Sequence, residues 1–131
     1  MNMKHEKSCG AVILKEKQVL IVQQASGFYN FPKGHMEKGE TEEETAIREV
    51  KEEINLDIKI NKSLRFSIVH SQTPELKREV IYFIASPISN DIRIDEKELK
   101  EAKWVDMEEV ETILTFDNLK ELWRQIKASI D

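Results

Sequence analysis

The chain of 131 residues contains a single cysteine, Cys9, which excludes a disulfide within the chain. One cysteine fits a reducing compartment, so we expect a cytoplasmic protein in which Cys9 is a small buried strand residue. Long hydrophobic runs are also missing: even Val80–Ala85 falls far short of the ~20 residues that span a membrane. The charged segment Met1–Gly10 lacks the pattern of a signal peptide. These absences predict one domain over residues 1–131 that does not associate with membranes.

A surplus of positive charge is absent as well. The chain has 20 basic and 25 acidic residues, a net charge of −5, so no basic face is expected for non-specific binding of nucleic acid. The segment Glu37–Glu53 holds eight acidic and three basic residues and thus carries the whole net charge. Such a cluster suits a hard divalent cation, although an exposed acidic helix face has the same composition.

Short β-type runs alternate with helical patterns along the chain. Two runs separated by three charged residues predict a hairpin, and apolar residues at most even positions from 58 to 68 predict a half-buried strand. The predicted strands are Ala11–Leu14, Val19–Gln24, Ile58–Ile68, Val80–Ala85 and Lys103–Asp106. The predicted helices are Glu42–Ile54, Met107–Leu114 and Asp117–Ile130. This order predicts an α/β fold in which a mixed sheet lies between helices.

The helix Glu42–Ile54 has recognisable signals at both ends. Thr41 and Glu44 match a capping box, and Asn55 suits the left-handed conformation that ends a helix. The core side of this helix is predicted to consist of Ala46, Ile47, Val50 and Ile54. The preceding segment Ala25–Gly39, which contains three of the four glycines, is predicted to be a loop.

Three glutamates of this helix, Glu49, Glu52 and Glu53, lie three and four positions apart and therefore project from one side. Like charges in this arrangement repel each other by a few tenths of a kcal/mol per pair. A bound cation would offset that repulsion. Mg²⁺ and Mn²⁺ prefer oxygen ligands, so the spacing predicts a site for one of these ions.

Residues 34–56 read GHMEKGETEEETAIREVKEEINL. They resemble the Nudix box, Gly-x5-Glu-x7-Arg-Glu-U-x-Glu-Glu-x-Gly-U, in which U is a bulky aliphatic residue. The residues in register are Gly34, Glu40, Arg48, Glu49, Val50, Glu52, Glu53 and Leu56. Asn55 replaces the final glycine, and asparagine tolerates positive φ. The G-x4-G spacing of a P-loop also occurs from Gly34, but Glu40 follows where that motif needs lysine.

The resemblance implies the Nudix fold and the hydrolysis of a nucleoside diphosphate linked to another group, with Mg²⁺ (or Mn²⁺) as cofactor. Glu49, Glu52 and Glu53 match the family's metal ligands, and one such glutamate is the general base in some members. A backbone carbonyl near Gly34 would be a further ligand. Arg48 would pair with a carboxylate, and Glu40 would brace the loop. Glu98 is the candidate for an additional metal ligand, although this acidic stretch could equally be a solvated loop.

The segment Phe31–Glu40 resembles the PKGH-x-E-x-GE segment of asymmetrical diadenosine tetraphosphate hydrolases. This resemblance implies that Lys33 and His35 contact phosphates. Residues 78–83 resemble a segment of the same enzymes in which a basic residue precedes a tyrosine by four positions, which implies a phosphate contact for Arg78. Residues 114–117 resemble their segment that carries an aromatic residue over the base. Tyr82 and Phe116 would sandwich adenine, with ordinary core packing as the alternative for both.

The resulting hypothesis is a nucleotide hydrolase that splits diadenosine tetraphosphate asymmetrically into ATP and AMP. One alternative is a Nudix enzyme for another substrate, such as an oxidised or non-standard nucleoside triphosphate or a capped RNA end. The other is a nucleotide-binding Nudix module without catalysis, against which the intact glutamates and Arg48 argue. The sequence makes no prediction of the oligomeric state.

Overall fold

The computed structural model describes residues 4–130, and it describes no side chains for residues 4, 5 and 70–72. Residues 1–3 of the charged segment Met1–Gly10 lie outside this range. The strands are β1 (Lys4–Lys15), β2 (Gln18–Gln24), β3 (Tyr29–Asn30), β4 (Lys33–His35), β5 (Ile58–Thr73), β6 (Leu76–Pro87) and β7 (Leu99–Asp106). The helices are α1 (Glu42–Ile54), α2 (Val110–Ile113) and α3 (Asp117–Ile130).

The strands form a mixed sheet with the order β3-β2-β1-β6-β5. β4 adds to β1, and β7 adds to β2. β1 and β6 run parallel over ten residue pairs, from Lys4 opposite Leu76 to Ile13 opposite Ala85. The other pairs are antiparallel. The predicted mixed sheet is therefore confirmed.

Helices cover both faces of this sheet because its strands alternate between two apolar sides. On β2, Val19 and Ile21 belong to a buried cluster that contains Trp123 of α3. Leu20 lies on the opposite side, in a cluster that contains Val50 of α1. This period-two alternation confirms the predicted α/β fold with helices on both faces.

Both ends of α1 form as the sequence predicts. The Thr41 hydroxyl accepts a hydrogen bond from the Glu44 N–H (3.1 Å), and the Glu44 carboxylate accepts one from the Thr41 N–H (2.9 Å). Asn55 ends the helix with φ of 60°. The prediction for Ile47 is wrong: its side chain is 42% exposed. Thr45 is buried in its place, because each helical residue turns by about 100° and the buried arc lies on the other flank of Ala46.

Other boundaries also differ from the prediction. β1 begins seven residues earlier than predicted, and β6 and β7 each begin four residues earlier. Residues 107–109 form a turn, so the predicted helix Met107–Leu114 is reduced to the four residues of α2. The segment predicted as a loop contains the short strands β3 and β4. β5 extends five residues beyond its predicted end. Among residues 4–130, none of the helices has the length and apolar sequence that a membrane crossing requires.

β5 contains an irregularity that changes the face its apolar residues occupy. Asn61 lies opposite Ile84, whereas Arg65 lies opposite Phe83, so β5 has three extra residues at this point. Three is an odd number, so the inward side of the strand changes there. Ile58 packs in the cluster beside α1, whereas Phe66 packs against the cluster beside α3.

Candidate active site

β4 brings the glycine-containing loop against α1, and β1 holds it in place. Lys33 lies opposite Gly10 in an antiparallel pair, and the Ala11 N–H donates to the Pro32 carbonyl at 3.1 Å. A Cβ atom at position 10 would overlap this carbonyl oxygen. Only glycine therefore lets the loop lie so close to the strand.

Gly34 faces the carboxylate of Glu49 without a side chain between them. A Cβ atom at Gly34 would overlap both oxygens of that carboxylate. The Glu49 carboxylate thus fills the space next to the loop backbone. This close approach is compatible with the predicted backbone carbonyl ligand near Gly34, and that role stays a prediction.

Arg48 connects four partners around this point. Its Nε and Nη2 atoms donate to the two oxygens of Glu40 at 2.6 and 3.0 Å. Nη1 donates to Glu49 (2.7 Å) and to Glu52 (3.1 Å), and Nη2 also donates to the His35 carbonyl at 2.9 Å. Such bidentate pairing fixes carboxylate orientation. The roles predicted for Arg48, pairing, and for Glu40, bracing, agree with these contacts.

The carboxylates of this site differ in their protonation. Hydrogen bonds from Arg48, and then from the Glu37 N–H, lower the pKa of Glu40 to about 2. Burial raises the pKa of Glu49, against the opposing effect of Arg48. Burial, followed by the charge of Glu49, raises the pKa of Glu53 to about 8. Glu49 and Glu53 are therefore two neighbouring, partly buried carboxylates whose negative charge the protein compensates only in part.

The donor set fits a hard divalent cation by its chemistry. Glu49, Glu52 and Glu53 offer oxygen atoms, and Glu49 and Glu53 are half-buried carboxylates that a cation would stabilise. Gly34 leaves the loop backbone open to them. In the part of the chain that the structure describes, no three carboxylate, imidazole or thiol groups gather closely enough to enclose an ion. Arg48 instead lies between the carboxylates of Glu49 and Glu52.

Glu98, the proposed additional ligand, lies in the exposed turn before β7. Its backbone carbonyl accepts a hydrogen bond from the Ala25 N–H at 2.9 Å. The charge of Glu98 contributes to the raised pKa of Glu53. The structure therefore brings Glu98 into electrostatic range of Glu53, and its role as a metal ligand stays a prediction.

A cavity of about 680 Å³ lies beside the carboxylates. It adjoins them through Lys33, whose backbone N–H donates to Glu53 at 3.3 Å. All five residues predicted to bind substrate line this one cavity: Lys33, His35, Arg78, Tyr82 and Phe116. The sequence therefore identified residues that the fold gathers from β4, β6 and the start of α3.

The basic residues of the cavity are already engaged with the protein. Burial lowers the pKa of Lys33, against the opposing effect of Glu53. The Arg78 Nε atom lies 3.0 Å from a carboxylate oxygen of Glu6, but its N–H does not point at that oxygen in hydrogen-bond geometry. His35 Nδ1 lies 3.5 Å from the Ser8 hydroxyl. A polyphosphate would therefore compete with Glu6 for Arg78.

The aromatic residues are not arranged as the predicted sandwich. Tyr82 is buried, with its ring edge-on to Phe31 at a centroid distance of 5.5 Å. Its hydroxyl donates to the Asn30 side chain at 3.2 Å. Phe116 is exposed and contacts Phe28 at 4.9 Å. A base cannot insert against a ring that the core encloses, so the expected stacking role of Tyr82 needs correction.

Phe28 and Asn30 line the same cavity, but the sequence analysis did not single them out. Phe28 follows the turn glycine Gly27, and an exposed aromatic residue after a turn is a weak signal for a binding surface. Asn30 lies in an aromatic stretch with no motif around it. Only the tertiary arrangement identifies its environment.

Comparison with known proteins gives one family and several distant relatives. A family model of the NUDIX domain matches residues 4–126. Nudix hydrolase 6 of Arabidopsis thaliana is 32% identical over 117 residues, which cover 82% of this chain and 41% of the relative. The chain thus spans about two-fifths of that protein.

The asymmetrical bis(5'-nucleosyl)-tetraphosphatase of Sus scrofa is 25% identical, and the match covers 87% of this chain and 88% of the relative. A solved Ap4A hydrolase binary complex of C. elegans has a TM-score of 0.83 at 27% identity, covering 95% and 97% of the two chains.

Proposed function

This chain belongs to the Nudix family, and on that premise we propose that it splits diadenosine tetraphosphate asymmetrically into ATP and AMP. Membership of the family supports an activity on phosphoric anhydrides, with nucleoside polyphosphates as the substrate class. Diadenosine tetraphosphate as the substrate is the proposed refinement. The observation that carries it is the single cavity in which basic and aromatic residues meet beside the carboxylates of α1.

The basic side of this cavity suits a chain of several phosphates. Lys33 comes from β4 and Arg78 comes from β6, so two separate elements present positive charge to the same space. His35 adds an imidazole next to Lys33. A tetraphosphate has more anionic groups than a mononucleotide, and several cations spread along the cavity can contact them.

The exposed pair Phe28 and Phe116 provides the surface for a base. Both rings are about two-fifths exposed, and they lie at the cavity together with Asp117 at the start of α3. Stacking on an aromatic ring contributes roughly 1–3 kcal/mol per base and depends little on sequence. We propose that the base stacks on Phe28 and Phe116. Phe116 thus keeps its predicted role, and Phe28 takes the role predicted for Tyr82.

Nudix hydrolases use divalent ions such as Mg²⁺ or Mn²⁺, which would supply an activated water and neutralise phosphate charge when bound. Glu49, Glu52 and Glu53 are the residues that would hold the ion. Arg48 holds two of these carboxylates and so limits their orientations. Glu53, whose pKa is raised to about 8, accepts a hydrogen bond from the backbone of Lys33, a residue that lines the cavity.

A substrate panel in the presence of Mg²⁺ tests the proposal. We expect diadenosine tetraphosphate to be hydrolysed faster than ATP or oxidised guanosine triphosphate, with ATP and AMP as products. In ¹⁸O-labelled water, mass spectrometry should find the solvent oxygen in only one product, the one whose phosphorus was attacked. The matched control is Glu53→Gln, which keeps the size of the side chain and should lower kcat by at least ~10²-fold.

The panel also separates the alternatives. Two molecules of ADP as products would contradict asymmetrical cleavage. A strong preference for oxidised or non-standard nucleoside triphosphates would favour a sanitising pyrophosphatase. Binding of nucleotides without turnover at any metal concentration would favour the non-catalytic module.

A further inference from the structure

Asn30 has a side-chain orientation that the protein itself determines. Asn30 is buried, and its Oδ1 atom accepts hydrogen bonds from the Phe31 N–H at 2.7 Å and from the Tyr82 hydroxyl at 3.2 Å. A backbone N–H can only donate, so the atom that faces it must be the oxygen and not the nitrogen of the amide. The carboxamide is therefore locked in one orientation.

This orientation leaves the amide nitrogen, with its two hydrogens, free of protein acceptors among the described residues. Asn30 is one of the residues that line the cavity. Its oxygen is already used, so the nitrogen is the group that remains for the cavity. The nitrogen is not sealed in the core, so water in the cavity can accept its hydrogen bonds, and an acceptor atom of a ligand in the same place would replace that water.

We propose that Asn30 determines specificity for the nucleobase by donating to an acceptor atom on its edge, and that Tyr82 is the positioning residue that holds Asn30. The acceptor is a ring nitrogen of the purine. This inference rests on the proposed function, because it takes the ligand of the cavity to be a nucleotide. Tyr82 then contributes to substrate choice through its hydroxyl group and not through stacking.

The surroundings of Asn30 favour a base over a phosphate as its partner. Its hydrogen-bond partners, the Phe31 N–H and the Tyr82 hydroxyl, are uncharged, and a neutral amide is a weaker partner for a highly charged group than a charged side chain is. Lys33 and Arg78 already provide charged donors for phosphates in the same cavity. A site built to donate a hydrogen bond discriminates strongly against an analogue that lacks the acceptor.

Ligand binding tests this assignment without relying on turnover. In the ¹⁵N-labelled protein, the side-chain amide signal of Asn30 is identified by its loss in Asn30→Asp. ATP should shift this signal, whereas inorganic tripolyphosphate should not. The probes 1-deaza-, 3-deaza- and 7-deaza-ATP each lack one ring acceptor, and the wild-type chain should bind one of them about 10-fold more weakly than ATP.

Two variants complete the test. Asn30→Asp keeps the acceptor for Phe31 and Tyr82 but replaces the donor, so affinity for ATP should fall about 10-fold relative to tripolyphosphate. The ratio of the two ligands removes the general effect of the added charge. Asn61→Asp makes the same chemical change at an exposed position of β5 and should leave the ratio unchanged.

For Tyr82, the variant is Tyr82→Phe, which keeps the buried ring and removes only the hydroxyl. It should weaken ATP binding about 3- to 10-fold without changing tripolyphosphate binding, and Tyr29→Phe is its control. Equal affinity for ATP and all three deaza analogues in the wild type would overturn the proposal, as would equal losses for ATP and tripolyphosphate in Asn30→Asp. If the chain proves inactive but ATP shifts the Asn30 signal, the proposed function fails while this inference stands.

Discussion

Gly34 is the residue at which the loop and the carboxylate helix come closest. β4 is paired with β1, so the backbone of Gly34 cannot move away without breaking sheet hydrogen bonds. On the other side, Glu49 is held by Arg48 at 2.7 Å. A side chain at position 34 would therefore have to displace the Glu49 carboxylate from its position beside Arg48.

We expect Gly34→Ala to lower kcat by about 10²-fold, because the added methyl group displaces the Glu49 carboxylate, and small displacements of catalytic groups cost this much. Steady-state kinetics combined with circular dichroism measure the effect. A circular dichroism spectrum equal to that of the wild type would separate a displaced carboxylate from a misfolded chain. A normal kcat in the alanine variant would show that the carboxylate position is not critical.

The two ends of α1 show how one element combines helix termination with tertiary contacts. At its C-terminal end, Asn55 adopts φ of 60° where the Nudix box has glycine. The Asn55 amide also donates to the Asp91 carbonyl at 2.9 Å. Asparagine adopts the left-handed conformation less easily than glycine does. Its side chain compensates for this by bonding the end of the helix to the segment before β7.

For this position we expect Asn55→Ala to lower the free energy of unfolding by about 2 kcal/mol, since alanine loses the bond to Asp91 and tolerates the left-handed region poorly. Asn55→Gly should change it by less than about 1 kcal/mol, because easier backbone geometry offsets the lost bond. Denaturant unfolding of both variants measures the difference. Equal losses for alanine and glycine would assign the whole effect to the hydrogen bond.

At the other end of α1, Glu42 accepts hydrogen bonds from Arg65 (2.8 and 2.9 Å) and from Lys7 (2.9 Å). Hydrogen bonding from Arg65 is the largest cause that lowers the pKa of Glu42 from 4.5 to about 2. The ionised form is favoured in the folded chain, so this contribution to stability is complete above pH 4.5. It is lost as the pH falls towards 2.

Glu42→Gln should therefore be less stable than the wild type at pH 7, and the difference should shrink as the pH falls from about 4.5 towards 2. Urea unfolding at pH 7, 5 and 3.5 measures this trend. Glu43→Gln, next to it on the same helix, removes an equal charge without these partners and is the control. A difference that stays constant with pH would mean that the ion pairs with Glu42 do not stabilise the fold.

The whole molecule shows where local sequence signals stop being sufficient. The ends of α1, the sheet class and the gathering of Lys33, His35 and Arg78 in one cavity agree with the sequence, because capping residues and period-two patterns are local or regular. The irregularity in β5 has no such signal. The apolar residues of β5 stay at even positions on both sides of the three extra residues, but they point to opposite faces of the sheet. One alternating sequence therefore contributes to the core on both faces.

The same limit explains the aromatic residues of the site. Tyr82 and Phe116 were assigned to one clamp by resemblance to a family segment, but side-chain burial depends on every element packed around them. Tyr82 lies in the buried stretch of β6, residues 81–85. Phe28 pairs with Phe116 across 88 positions of sequence, a distance over which no periodic pattern carries information.

Metal binding should be visible in the stability of the whole molecule. A cation that binds only the folded chain raises the melting temperature, by an amount that corresponds to about 2.7 kcal/mol at one hundred times the dissociation constant. We expect Mg²⁺ or Mn²⁺ to raise Tm, excess EDTA to reverse the rise, and Glu53→Gln to reduce it strongly. Differential scanning calorimetry measures all three effects.

Glu98→Gln decides the role of Glu98 in the same experiment, with Glu96→Gln in the same turn as the matched control. A smaller rise in Tm for the Glu98 variant alone would support a place among the ligands. A metal-induced rise in Tm that is as large in Glu53→Gln as in the wild type would contradict the carboxylate site itself.

The position of the acidic residues also controls how a polyanion first meets the protein. The segment Glu37–Glu53, which folds into α1 and the loop before it, carries the whole net charge of −5. Its repulsion acts over about one Debye length, ~8 Å at physiological ionic strength. Added salt should therefore speed the capture of a bare nucleotide. A nucleotide that arrives as its metal chelate experiences much less repulsion. The electrostatic barrier thus favours one order of arrival, with the cation before the nucleotide or together with it.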